Sequence, residues 1–245
     1  TVICRNCGLV RTDPMPEPAA IEAFYAREYR RDYKGSARPT ARRVLRALDV
    51  ARDRLNRLRP HLEGRRRVLD VGASSGEFPH VLRAAGIGAA GIEPNEAYSR
   101  WAREHLGLDV ENTDWHRAEF PAGRFDAVTL FHVLEHLADP VGALRKLGGW
   151  LTPGGALVVE VPNVEGNCGS PGGRFHFAHL HHFNLVTLAA AGEAAGLRVT
   201  ASQTSPDGGN ITVVFSREAP PRDACTVLAG NFDRVLASLR AHHPW

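Results

Sequence analysis

The chain has 245 residues, of which 43% are hydrophobic and 23% charged, and it carries a formal net charge of +3 from 30 basic against 27 acidic side chains. That is enough apolar chain for one large α/β domain or two small ones, and it excludes a chain dominated by disorder. No segment approaches the roughly 20 consecutive apolar residues that a membrane span needs, since 125–134 is cut by Asp126 and His132, so no membrane partner is expected. Only Lys34 and Lys146 are lysines. The arginine clusters at 65–67 and at Arg42, Arg43 and Arg46 are short and lack interleaved aromatics, so nucleic acid is not expected as a partner either. Four scattered cysteines and no leader-like start argue against a disulfide scaffold and point to a reduced, cytoplasmic setting. Because the numbering opens on Thr1, the sequence reads as beginning inside a longer one.

Taken in chain order, residues 1–20 show no periodicity and carry a Cys4-x-x-Cys7-Gly8 knuckle followed by Pro14, Pro16 and Pro18. Residues 21–62 form a second segment, aromatic-rich at first. From about 40 to 62 its apolar positions Val44, Leu45, Leu48, Ala51, Leu55, Leu58 and Leu62 recur at helical spacing. From 63 to 217, β-rich runs at 67–71, 89–92, 125–131 and 156–161 alternate with helical stretches near 77–85, 96–106 and 140–151, the pattern of parallel strands with crossover helices. A helix at 185–195 then leads to runs at 198–203 and 211–215. These two are joined by the turn 206–209 and must pair antiparallel. Residues 218–245 end the chain, with helical spacing over 224–239. The expected architecture is therefore α/β, a mostly parallel sheet with an antiparallel last strand and helices on both faces.

The run Arg67-Val-Leu-Asp-Val-Gly-Ala-Ser-Ser-Gly-Glu77 joins a buried strand to a helix through small residues, which lets backbone N–H groups approach a ligand. A dinucleotide fingerprint also places glycines at such a turn, with an acid about 20 residues later. Here Asp70, two positions before Gly72, would repel a pyrophosphate yet can pair with an ammonium group, and Ser74 stands where the dinucleotide pattern has its second glycine. Glu93, in Gly91-Ile-Glu-Pro94, is placed to accept from both hydroxyls of a ribose. An amino acid and a ribose together suggest S-adenosylmethionine.

On these residues the chain resembles the class I S-adenosylmethionine-dependent methyltransferases. Val68-Leu-Asp-Val-Gly-Ala-Ser-Ser-Gly76 is similar to their first motif and Gly91-Ile-Glu-Pro94 to the second. Phe125-Asp-Ala-Val-Thr-Leu-Phe-His-Val-Leu-Glu-His136 and Leu151-Thr-Pro-Gly-Gly-Ala-Leu-Val-Val-Glu-Val-Pro-Asn163 are similar to the fourth and fifth strands with their turns. The resemblance implies a Rossmann-like seven-stranded sheet. It also implies cofactor contacts from Asp70, Gly72, Ala73, Ser74, Gly76, Glu93 and Pro94, from Asp114 and Trp115 at the adenine, and from Phe131 and His132 after the fourth strand. His136 and Asn163 are expected to border the acceptor, although Glu135 and His136 also suit capping or packing of the next helix.

Cys4 and Cys7 have the half-site spacing of a zinc ribbon, and four-coordinate zinc needs two further ligands. Together with Pro14-Met-Pro16 and Phe24-Tyr25 they resemble the end of the zinc-binding lobe that precedes a sugar-modifying branch of these methyltransferases, which implies a structural zinc. Tyr25, Tyr29 and Tyr33 form one helical stripe, read either as core packing or, as in that branch, as a lid in which Tyr29 and Tyr33 touch the acceptor. Four of the twelve histidines fall in 174–184. The stretch Ala178-His-Leu-His-His-Phe-Asn184 resembles the segment of the same branch whose histidine is the proposed base; it matches His179, and His181 and His182 are its possible substitutes. Ala178 and His182 depart from that segment; an interfacial structural role for these histidines, and a metal site built from His176, His179, His181 and His182 without a carboxylate in the segment, are rival readings. The expected activity is methyl transfer to a small, sugar-containing metabolite in natural-product or glycan biosynthesis. A quinone or other small aromatic acceptor, and a non-catalytic cofactor-binding scaffold, are the alternatives. The acceptor atom and the oligomeric state are not legible.

Overall fold

The computed structural model describes residues 1–17, 20, 38–166, 175, 178–217 and 228–242. Tyr25, Tyr29, Tyr33, Cys168, His176 and Cys225 lie outside the described residues. The elements are β1 (Val2–Ile3), β2 (Val10–Arg11), α1 (Ala41–Leu62), β3 (Val68–Val71), α2 (Glu77–Ala84), β4 (Ala89–Ile92), α3 (Glu96–Leu106), β5 (Asp109–Glu111) and β6 (Phe125–Phe131). A single 3-10 turn (Leu134–His136) follows, then α4 (Pro140–Gly149), β7 (Leu151–Pro162), β8 (His181–His182), α5 (Leu185–Ala194), β9 (Arg198–Thr204), β10 (Asn210–Ser216) and α6 (Asn231–His242). Seven strands form one sheet in the order β5-β4-β3-β6-β7-β10-β9. Strands β3 to β6 pair in parallel, and β9 and β10 pair antiparallel. No described helix is long and apolar enough to cross a membrane.

The chain divides into two compact units, one of residues 17–130 with 150–156, the other of 1–16, 131–149 and 157–245. In the first, every residue of β3 is buried, as expected of a central strand covered on both faces. The Asp126 carboxylate ties the starts of β3 and β6 together: Oδ2 accepts from the Arg66 and Arg67 N–H groups at 3.0 Å, and Oδ1 pairs with the Arg67 guanidinium at 2.8 Å. Helix α1 buries Val44, Ala51, Leu55, Leu58 and Leu62, whereas Leu45 is 63% exposed. Leu45 satisfies the apolar count but sits about 100° round the helix from Val44, off the stripe that faces the protein.

In the second unit, α4 packs on α5, and α5 on β9 and β10. Asn184 caps α5 with a reciprocal Thr187 bond, and its amide also donates to Asn231, whose own amide donates to the Cys7 carbonyl. A small core of Val10, Val164 and Val235 lies alongside this polar chain. Three strand assignments differ from the periodicity. Strand β5 shows only one buried residue in three, too short a signal to read. Helix α4 ends at Gly149 rather than 151, and β7 begins at Leu151, because the Trp150 carbonyl is taken by the Phe125 N–H of the sheet. Finally, the aperiodic N-terminal segment contains two short strands: β1 and β2 form a hairpin, and β2 pairs with β8.

Candidate functional site

The first unit builds the glycine turn. Asp70 lies near the end of β3, buried, with its Oδ1 accepting from the Thr129 hydroxyl at 2.6 Å. Burial pushes its carboxyl up to about 7, against the lowering effect of that hydroxyl and of the Arg54 charge. Beyond the strand, Gly72 and Ala73 donate their N–H groups to the Ile92 carbonyl, and Gly76, at φ 86°, opens α2. Ser74 occupies the left-handed region at φ 54°, a conformation costing a side-chain-bearing residue about 1 kcal/mol.

The turn is held by Glu93. Its Oε2 accepts from the Ser74 N–H at 2.9 Å and its Oε1 from the Asn95 N–H at 3.0 Å, so this buried carboxylate is a strut between two loops. Pro94 is exposed, and its carbonyl and that of Glu93 accept from the Asn112 amide. Asp114 spends Oδ1 on the His116 and Arg117 N–H groups, and Trp115 is half-buried rather than core. Gly91 lets β4 run against the turn: a Cβ there would stand 2.6 Å from Ala73 Cβ. Gly91→Ala is therefore expected to destabilise the fold by about 1–3 kcal/mol and to weaken cofactor binding, which thermal unfolding and calorimetry would measure.

The second unit gathers the histidines around two buried carboxylates. His132 follows β6 at φ 54°, its N–H bonded to the Glu160 carbonyl. Its ring stands between Glu135 Oε1, 3.6 Å from Nδ1, and Glu160 Oε1, 3.5 Å from Nε2. Thr212 donates to the other Glu160 oxygen at 3.2 Å. Burial alone would lower the His132 pKa, but the two carboxylates raise it to about 9. Burial likewise opposes ionisation of Glu135, yet the neighbouring His136 and His132 hold its carboxyl below the usual range. His136, His179, His181 and His182 are all buried, whereas the His132 side chain is 39% exposed. Burial lowers the His182 pKa to about 3, assisted by the nearby His179 and His181, and burial also lowers His181. His181 and His182 are strand residues paired with β2, and the Thr12 hydroxyl donates to the His179 carbonyl. The Asn163 amide donates to the Gly208 carbonyl and its oxygen accepts from the Glu165 N–H, so both its ends serve the backbone.

Cys4 and Cys7 sit at the turn of the β1–β2 hairpin, both thiols reduced. The Cys7 N–H holds the Cys4 thiol below its ordinary pKa, which suits a thiolate ligand. Sequence reasoning passed over Glu160 and underused Glu135. Glu160 is the only acid in the buried stretch 156–161, and a carboxylate inside a central strand was the signal available.

A parallel α/β sheet with this turn, a buried acid before it and a second acid after the next strand defines a class I S-adenosylmethionine-dependent methyltransferase. The sequence model of the Methyltransferase domain family matches residues 41–202, and the chain belongs to that family. Among curated proteins, it is similar to the ubiquinone biosynthesis O-methyltransferase of Aromatoleum aromaticum, 35% identical over 104 residues that make up 40% of this chain and 44% of that one. The enzyme of the same name from Nitrosococcus oceani is 33% identical over 123 residues, 47% of this chain and 52% of that one, so the chain spans about half the length of the curated relatives it matches. Among solved structures, 1,6-didemethyltoxoflavin-N1-methyltransferase of Burkholderia thailandensis, with bound 1,6-didemethyltoxoflavin and S-adenosylhomocysteine, shares the fold with a TM-score of 0.59 and 19% identity, over 84% of this chain and 93% of that one. A Thermotoga maritima S-adenosylmethionine-dependent methyltransferase shares it at 0.59 and 20%, over 71% and 91%.

Proposed function

We propose that the chain methylates a hydroxyl oxygen of a small quinol- or phenol-type acceptor. The observation that carries this reading is the similarity to O-methyltransferases of ubiquinone biosynthesis. S-adenosylmethionine supplies an electrophilic methyl carbon on a sulfonium, and the transfer is an in-line displacement in which the protein mainly positions the acceptor. Asp70 would hold the ammonium group of the donor, Glu93 its ribose hydroxyls, and the Gly72–Gly76 backbone its carboxylate end. Asp114 and Trp115 would border the adenine, and Phe131 the pocket. His132 is the imidazole of the cluster best exposed to an acceptor, and its two carboxylate neighbours fix the ring; held protonated between them, it would orient the acceptor and stabilise the charge that develops on its oxygen, while the hydroxyl proton leaves to solvent.

A second reading, a sugar-containing acceptor, is favoured by the cysteine knuckle, whose hairpin is stitched through β2 to the histidine strand β8. On that reading Cys4 and Cys7 supply two thiolates of a structural zinc, and Tyr29, Tyr33 and His179 address the acceptor. Incubating the full chain with S-adenosylmethionine and either a set of hydroxylated quinols or a set of nucleotide sugars, followed by mass spectrometry, separates the two. Methylation of quinols is the expected result. Methylation confined to nucleotide sugars would replace the first reading by the second, and binding of cofactor without turnover on any acceptor would remove both.

A further inference from the structure

Glu135 is buried more deeply than packing of a turn requires. Its side chain is 2% exposed, and neither carboxylate oxygen has a hydrogen-bond partner. A carboxylate in that state costs several kcal/mol unless a cation compensates it. The imidazoles nearest to it stand outside hydrogen-bond range, His132 Nδ1 at 3.6 Å and His136 Nε2 at 3.7 Å from Oε1.

His136 sharpens the point. Its Nδ1 lies 2.9 Å from the Ala178 carbonyl, which can only accept, so Nδ1 carries the proton. In the neutral ring Nε2 then presents a lone pair towards the Glu135 oxygen, an arrangement that either a second proton on the ring or a cation between the two would relieve. A ring nitrogen bonded to a backbone carbonyl, with the other left to coordinate, is also how ligating histidines are oriented. His179 completes a set of three: one ligand atom from each of Glu135, His136 and His179 lies within 4.8 Å of the other two, and the His136 and His179 rings meet edge to face at 4.9 Å. Ligands at about 2.1 Å round a tetrahedral ion stand about 3.4 Å apart, close to the spacing already present between Glu135 and His136.

We propose that Glu135, His136 and His179 bind one divalent cation of the zinc class. Two imidazoles and a carboxylate are a borderline donor set suited to such ions rather than to magnesium or calcium. The ion would tie the turn after β6 to the segment that enters β8, and so fix the wall against which His132 is held. This goes beyond the transferase reading and does not depend on it.

The test uses cobalt(II) as the probe and the full chain carrying Cys4→Ser and Cys7→Ser, which removes the competing thiolate pair. After removal of metal with a chelator, titration is expected to load one cobalt per chain, with visible d–d absorption, no thiolate charge-transfer band and a rise in the thermal midpoint. Glu135→Gln and His179→Ala should each weaken cobalt binding by roughly 10²-fold or more, since loss of a ligand exceeds the loss seen for its supporting partners. With chelator present, Glu135→Gln should be at least as stable as the parent, because it removes a buried charge whose nearest imidazoles stand outside hydrogen-bond range. A folded parent that binds no cobalt overturns the proposal, as does binding that both substitutions leave intact. A marked loss of stability of Glu135→Gln in chelator also overturns it, showing that protonated histidines already satisfy the carboxylate.

Discussion

Affinity for S-adenosylhomocysteine is expected to rise about tenfold per pH unit between about pH 5 and pH 7 and then to level off, and Asp70→Asn is expected to abolish both the slope and most of the affinity. The ammonium group of the ligand requires an ionised partner, while burial keeps the Asp70 carboxyl protonated up to about pH 7 in the ligand-free protein. The sign for stability is the opposite. A native pKa above the unfolded value means that the folded state binds the proton more tightly, so the Asp70 contribution is fully present below about pH 4 and is lost as pH rises to about 7. Asp70→Asn should therefore stabilise the ligand-free protein by a few kcal/mol at about pH 8 while removing cofactor binding, a separation of stability from function that is common at binding sites. Calorimetry across pH and thermal unfolding of both proteins check the two halves independently. Flat cofactor affinity across this range in the unsubstituted protein would remove Asp70 from the ammonium site.

The second large effect concerns His132. His132→Asn is expected to lower kcat by roughly 10²-fold while S-adenosylhomocysteine affinity stays within a factor of about two. Asparagine is chosen because it tolerates the left-handed backbone that His132 adopts, so the substitution removes the imidazole and leaves the turn in place. Glu160→Gln, which leaves the imidazole present but changes what holds it, should give a smaller loss of kcat and a displaced pH profile. Full turnover by His132→Asn on a verified acceptor would show that the acceptor is oriented and its developing charge stabilised without this group.

The elements that could be read from the residues are those whose signal is local. Asp70, the glycines of the turn and Glu93 stand in a strand-turn-helix whose backbone needs those residue types whatever surrounds it, and the buried β3 and the stripe of α1 follow from periodicity alone. The sheet with its antiparallel end was legible for the same reason, since each of its strands except β5 carries its own apolar run or turn. Leu45 marks the limit of that method, because counting apolar residues does not say where the stripe is centred.

What only the tertiary structure decided is the use of the polar groups. Glu93 and Asp114 are acids at expected positions, yet the backbone N–H groups that claim their oxygens come from turns whose approach no spacing shows. The histidine segment reads as a source of a catalytic base, and its pairing with β2, 170 positions away in the numbering from His181, is not visible in it. Glu160 and Glu135 lie in stretches that look like core and turn, and they become a constellation with His132 only when β6 and β7 bring their ends together. Hydrophobic period is a property of neighbours along the chain and is fixed by the sequence directly. The partner of a buried charge is a property of neighbours in space, and it exists only once the chain has folded.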